Sequence, residues 1–396
     1  MELKQHCTKP TPTALFFLLF VFTIQHSSIH CQAWLGHISS SHSSSSSPTS
    51  KFSAGVFRRI VVSVVFGASA GLLFAILAAF LIRFFNHYLK QTPILRGPVV
   101  FTPKIDPAKL GAAMADQTHF LGSSPNGKYY KTVLDNGLVL AVKRLEPFES
   151  GSPEVQSKSI KRKMQQELEI LANLSHRNLM CLRAYVREAD RCSLVYDFMP
   201  AGSLEDAMNK VRNKELQLNW DVRLRIAVGV IKGLHYLHFT CVPQMLHYNL
   251  KPTNVMLDAE YEPRLADCGL AKALPHLHTT PSSYGAPECF RDCRYTEKSD
   301  VFSFGLILAV LLTGRDPKDP FFGEAANGGS LGKWLTHLQH AGEAREALDK
   351  SILGEEVEED EMLMAVRISV KCCSDLPEDR PWSDELVNML TQLHSF

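Results

Sequence analysis

Residues 60–82 form an unbroken run of 23 positions without a charged side chain. Wound as an α-helix, such a run reaches about 35 Å, enough to cross a hydrocarbon core of roughly 30 Å with some tilt. The run is expected to be a transmembrane helix, and it divides the chain into a short N-terminal part and a long C-terminal part. Lys51, Arg58 and Arg59 precede it, and Arg83, Lys90, Arg96 and Lys104 follow it. That balance is too even to set the orientation. Within the run, Ser63, Gly67, Gly71, Ala75 and Ala79 recur every fourth residue. Residues four apart share a helix face, so the five predict one narrow stripe of small side chains along which a second membrane helix packs closely. The second helix is either another copy of the chain or a different protein.

Orientation rests on the N-terminus. Lys4 and Lys9 precede an apolar run over residues 14–24, eleven residues that rise only about 16 Å as a helix. That is too short to span, and a basic start with a short apolar core reads as a secretory signal peptide over residues 1–31. Residues 32–59 then form a short Ser-rich extracellular segment. It is too poor in apolar side chains to fold, and too small for an independent ligand-binding domain. The long C-terminal part is thereby placed in the cytosol, with the cell membrane as destination and the endoplasmic reticulum as the place of assembly.

Eight of the ten cysteines lie in that C-terminal part, none of them in a C-x-x-C pair. This argues against a metal site or a disulfide framework and for reduced thiols. With a net charge of +1, nothing draws the chain toward nucleic acid.

Residues 83–118 contain Pro93, Pro98, Pro103 and Pro107 and read as an extended juxtamembrane linker. Beyond them the pattern predicts strands over 129–134 and 139–145, with Asp135-Asn136-Gly137 supplying the positive-φ residues of a hairpin turn. A helix over 161–174, with Met164, Leu168 and Leu171 on one face, and a strand over 194–198 follow. Helices are then expected over 221–237, 299–312, 331–338, 360–372 and 383–393. A small β-rich lobe followed by a helical lobe is a two-lobed α+β fold. The acidic stretch 355–361 reads as a solvated loop and helix start, and Lys161, Arg162 and Lys163 as the exposed side of their helix.

Residues 119–396 resemble a protein kinase through five motifs in order. Ala141-Val142-Lys143 resembles the strand with the phosphate-contacting lysine, and Glu167 the helix glutamate that pairs with it. His247-Tyr248-Asn249-Leu250-Lys251-Pro252-Thr253-Asn254 resembles the catalytic loop. Asp267-Cys268-Gly269 resembles the metal-binding turn, and Ala286-Pro287-Glu288 the end of the activation segment. The hinge-like run 194–199, the sequence His176-Arg177-Asn178-Leu179 and the run 300–305 are similar to plant receptor-like kinases. Together with the short outer segment, they identify the chain with the membrane-bound receptor-like kinases of CLAVATA-type peptide signalling. The resemblance implies a protein-kinase fold and a leucine-rich-repeat receptor-like protein without its own kinase as partner. It also implies a role in meristem maintenance, cytosolic signalling proteins as further partners, and an ion pair between Glu288 and Arg380.

The machinery departs from the family pattern. Asn249 stands where the loop pattern H-R-D-x-x-x-x-N has the aspartate that accepts the substrate proton, and a carboxamide takes up no proton near neutral pH. Loss of a positioned base costs on the order of 10²–10⁴ in rate. Tyr248 replaces the arginine that would pair with a phosphorylated activation loop, where Thr279, Thr280, Ser282, Ser283 and Tyr284 still offer hydroxyls. In the phosphate loop Gly122 and Gly127 are kept, but the middle glycine is Ser124, followed by Pro125. The same residues imitate a Walker A loop but fail at Tyr129, where a Ser or Thr would hold magnesium.

Lys143, Glu167, Asn254 and Asp267 could still bind ATP and magnesium, weakly or not at all. The expectation is a pseudokinase acting as a signalling subunit. The alternatives are a weakly active serine/threonine kinase and an ATP-gated interaction switch.

Overall fold

The computed structural model describes residues 54–89, 97–116, 118–124, 127–145, 154–187, 192–273, 282–324, 330–353 and 356–393. The expected signal peptide and most of the Ser-rich segment lie outside them, as do Pro125, Asn126, Thr279, Thr280 and Glu355. The chain divides into two units, residues 1–90 and 91–396.

In the first unit a single helix, α1 (Ala54–Leu89), contains the whole uncharged run. Its stretch Val61–Phe84 is long and apolar enough to cross a membrane, and none of it is buried within the chain. Val64, Phe66, Leu73, Phe74 and Phe80 are all at least 60% exposed. So large an uncovered apolar surface requires lipid or another helix against it. Ser69 Oγ donates to the carbonyls of Val65 and Phe66, so its hydroxyl is satisfied within the helix.

The second unit begins earlier than its motifs suggest. Six antiparallel strands are arranged in the order β1–β5–β6–β4–β3–β2. They are β1 (Gly97–Val100), β2 (Thr118–Ser124), β3 (Gly127–Val133), β4 (Val139–Leu145), β5 (Ala184–Arg187) and β6 (Cys192–Asp197). The stretch 83–118 is therefore not the extended linker that its prolines predict. Its first residues continue α1, β1 pairs with β5, and α2 (Pro107–Asp116) packs beside the sheet. Pro107 is the first helical residue, where its missing N–H costs nothing. Asp106 Oδ1 caps the turn, accepting from Ala108 N at 2.8 Å and Lys109 N at 3.2 Å. Ile105, Leu110 and Met114 form one buried cluster with Leu140, Val142 and Val195 of the sheet. Arg144 Nη2 donates to Met114 O, satisfying a carbonyl at the end of α2.

The β3–β4 turn is the hairpin expected, but only Gly137 of its three residues has positive φ. Asn136 contributes through its side chain instead. Its Oδ1 accepts from Leu138 N and its Nδ2 donates to Lys104 O.

α3 (Glu154–Ala172) follows the sheet and buries Met164, Leu168 and Leu171. The helical lobe contains α4 (Leu204–Arg212), α5 (Trp220–His235), α6 (Leu270–Ala273), α7 (Pro287–Arg291), α8 (Glu297–Thr313), α9 (Pro320–Glu324), α10 (Leu331–Ala341), α11 (Glu356–Cys372) and α12 (Ser383–Thr391). A small sheet of β7 (Gly202–Ser203), β8 (Val255–Leu257) and β9 (Pro263–Leu265) lies among them. α8 is its axis. Almost every residue of α8 is buried, which explains why the helix is apolar on all sides rather than striped.

Arg380 grips Glu288 with both guanidinium arms, at 2.7 and 2.9 Å, and Ser299 Oγ donates to the same carboxylate. Such a bidentate pair, fully hydrogen-bonded, is the favourable form of a buried ion pair. The acidic stretch expected in solvent is partly engaged: Glu361 accepts from Trp220 Nε1, and Glu359 pairs with Arg345. All eight cysteines of this unit are free thiols.

Candidate functional site

Between the sheet and the helical lobe lies a cleft of about 950 Å³, lined among others by Gly122, Tyr129, Lys143, Tyr196, Asn249, Asn254 and Asp267. Its floor is the loop 247–254, held from below by one side chain. Asp300, in the first turn of α8, accepts from the backbone N–H of His247 at 2.7 Å and of Tyr248 at 3.0 Å. This anchoring supports Tyr248 at a positive φ of 66°. His238 Nε2 also lies 3.1 Å from Asp300. The His247 ring is fully buried, and that burial lowers its pKa and keeps it neutral. Asn254 Nδ2 donates to Asn249 O at 2.8 Å, closing the loop. The loop is therefore built as a phosphotransfer loop is built, with a carboxamide at the position of the base. Lys251 stands half-buried at its edge, its pKa lowered chiefly by burial, with Asp267 opposing.

Lys143 projects into the cleft from β4, almost fully buried, and its ammonium pairs with Asp267, not with Glu167. Burial lowers the lysine pKa, but the Asp267 carboxylate and the nearby Tyr129 phenol outweigh it and the net direction is upward. Glu167 instead lies 3.5 Å from Lys272 on α6, the short helix just after the Asp267 turn. The expected lysine–glutamate pair is thus replaced by two others. The cause is positional: α6 carries a cation to Glu167, and the turn carries an anion to Lys143. Asp267 sits at φ 61° and Gly269 at φ 68°, the backbone of a tight turn. Cys268, where the family has an aromatic residue, is buried, with its Sγ 3.5 Å from Leu265 O.

Gly122 and Gly127 border the β2–β3 hairpin, which stays paired as far as Ser124 and Gly127. At Gly127 φ is 147°, and a Cβ would lie 2.3 Å from Arg144 O. This glycine is required by the sheet itself, whatever the loop binds. β3 continues directly from it, so no helix follows and the Walker A reading fails. Tyr284, expected to offer a hydroxyl on the activation segment, is buried, and burial raises its pKa. Ser283 is exposed and Ser282 half-buried.

Ser63, Gly67, Gly71, Ala75 and Ala79 all lie on the exposed α1, with no atom within 4 Å of a Cβ built at Gly67 or Gly71. Among the described residues no group of His, Cys, Asp or Glu is placed to hold a metal ion by itself.

In this fold ATP with magnesium would be held by Lys143 and Asp267, both of which line the cleft. The lysine that would meet the phosphates and the aspartate that would meet the metal neutralise each other. Sequence reasoning missed Lys272, named Asp300 only within the run 300–305 without its anchoring role, and did not place Tyr129 in the cleft. The placement of Tyr129 was open to it, because hairpin register about Asn136 sets Tyr129 opposite Lys143.

The protein kinase domain family matches residues 116–389. The inactive leucine-rich repeat receptor-like protein kinase CORYNE of Arabidopsis thaliana is 63% identical over 362 residues, 91% of this chain and 90% of that protein. This chain belongs to the receptor-like protein kinases. The leucine-rich repeat receptor-like serine/threonine/tyrosine-protein kinase SOBIR1 of the same plant is 34% identical, over 75% of this chain and 49% of that protein. Among solved structures, the pseudokinase domain of BIR2, an immune regulator of the RLK/Pelle family, matches with a TM-score of 0.62 and 28% identity, covering 76% of this chain and 90% of that one. The chain is a membrane-anchored receptor pseudokinase, its kinase fold joined to an apolar helix of spanning length.

Proposed function

We propose that this receptor-like pseudokinase is a non-catalytic signalling subunit of the cell membrane. Its helix joins a leucine-rich-repeat receptor-like protein that lacks a kinase. Its cytosolic lobes dock signalling proteins in CLAVATA-type peptide signalling and meristem maintenance. The observation that carries the reading is Asn249 at the base position of a loop that is otherwise assembled. A chain that keeps the backbone of the loop and loses its proton acceptor retains a surface without the chemistry. The uncovered small-residue face of α1 supports assembly within the membrane, with self-association as the competing arrangement.

Co-purification from membranes tests this. Gly67→Leu with Gly71→Leu is expected to abolish capture of the receptor-like protein and surface delivery, while the cytosolic thermal transition stays in place. Unchanged capture would refute the packing face.

A further inference from the structure

One side chain at the roof of the cleft belongs to neither the catalytic loop nor the metal turn. Tyr129 of β3 stands directly opposite Lys143 of β4 in the antiparallel register. Directly opposed residues point to the same face of a sheet, with Cβ atoms about 4.5–5.5 Å apart. Here that face is the cleft, and both side chains line it together with Ala141 and Tyr196. The Lys143 ammonium lies 5.4 Å from the centre of the Tyr129 ring, within the range of a cation–π contact. In the kinase pattern G-x-G-x-x-G-x-V, the lysine on the next strand meets the α- and β-phosphates and the last position is a valine. Counted from Gly122, that last position is Tyr129. A phenol ring thus replaces an isopropyl group and lies against the cation that phosphate would need. The same cation is also held by Asp267.

We propose that Tyr129 is a built-in plug that, with the Lys143–Asp267 pair, excludes magnesium–nucleoside triphosphate from the cleft. Entry of a triphosphate would have to move the ring off Lys143 and break a buried ion pair, leaving Asp267 uncompensated until a metal arrived. The plug removes the ligand as well as the chemistry, so the receptor-like pseudokinase presents one lobe arrangement whatever the nucleotide level. This deepens the non-catalytic reading and disfavours a nucleotide-gated switch.

The test uses the full-length protein in lipid nanodiscs, titrated with methylanthraniloyl-ATP and magnesium and read by fluorescence. The wild type is expected to show no saturable binding up to millimolar nucleotide. Tyr129→Val should gain affinity by about tenfold or more, and Tyr129→Phe, which keeps the ring but loses the hydroxyl's hydrogen bond to Lys143, should gain less than the valine variant. Tyr129→Ile is the second opening variant, used if the valine variant loses its size-exclusion peak. Saturable micromolar binding by the wild type overturns the proposal whatever the variants do. A folded opening variant that still binds no nucleotide overturns it as well, and leaves the non-catalytic reading untouched. Phosphoryl transfer by the wild type would sink both.

Discussion

Two ion pairs follow from the kinase resemblance, and the structure treats them oppositely. Glu288 and Arg380 meet as expected, buried and bidentate. Lys143 and Glu167 do not meet, and each has taken another partner. The difference lies in what surrounds them. Arg380 is also fixed by the carbonyls of Ser374 and Lys298, so its geometry is over-determined by the helical lobe. Lys143 and Glu167 stand on a strand and a helix that share no such clamp. Two neighbours, Asp267 and Lys272, decide where they point. Motifs give an inventory of side chains, and third parties decide which pairs form.

Breaking the first pair is expected to have the largest effect. Arg380→Met leaves a buried carboxylate without its partner and should lower stability by about 3–5 kcal/mol, measured by chemical denaturation. A loss below about 1 kcal/mol would show that the pair contributes little. Leu110→Ala removes a fully buried side chain from the cluster under α2. It should cost about 2–5 kcal/mol, whereas a linker residue would cost almost nothing.

The Glu288–Arg380 pair also responds to acid. Burial pushes the Glu288 pKa up from its ordinary 4.5, but hydrogen bonds from Arg380, its own backbone and Ser299, with the Arg380 charge, bring it below that value. The folded state therefore binds this proton less tightly than the unfolded state. The stabilisation is full above about pH 4.5 and is lost as the pH falls through the lowered folded value. The stability gap between wild type and Glu288→Gln should narrow below pH 4.5. A gap independent of pH would contradict this. The smallest effect belongs to Lys272→Met. Its side chain is 53% exposed, so losing the contact to Glu167 should cost no more than about 1 kcal/mol. A larger loss would mean that α6 clamps α3 more firmly than this geometry indicates.

Much of the helical lobe was legible because its signals are local. The catalytic loop and the metal turn are contiguous motifs, and the helices expected over 299–312 and 360–372 are found as α8 and α11, each starting two to four residues earlier. The failures are cases in which a local signal had a second meaning. Pro107 reads as a breaker but starts α2, because Asp106 caps it. Asn136 reads as a positive-φ residue but works through its amide. Gly127 reads as phosphate loop but is demanded by Arg144. At the cleft, Asn249 could be read from one position, whereas the Glu167–Lys272 contact joins residues 105 apart and left no local trace. Tyr129 was intermediate, within reach of register but not of motif.

Phosphate incorporation by the purified full-length protein, with Asp267→Ala as the background, separates a pseudokinase from a kinase. Equal, background-level incorporation is expected in wild type and variant. Stoichiometric labelling of the wild type that disappears in Asp267→Ala would contradict the pseudokinase reading.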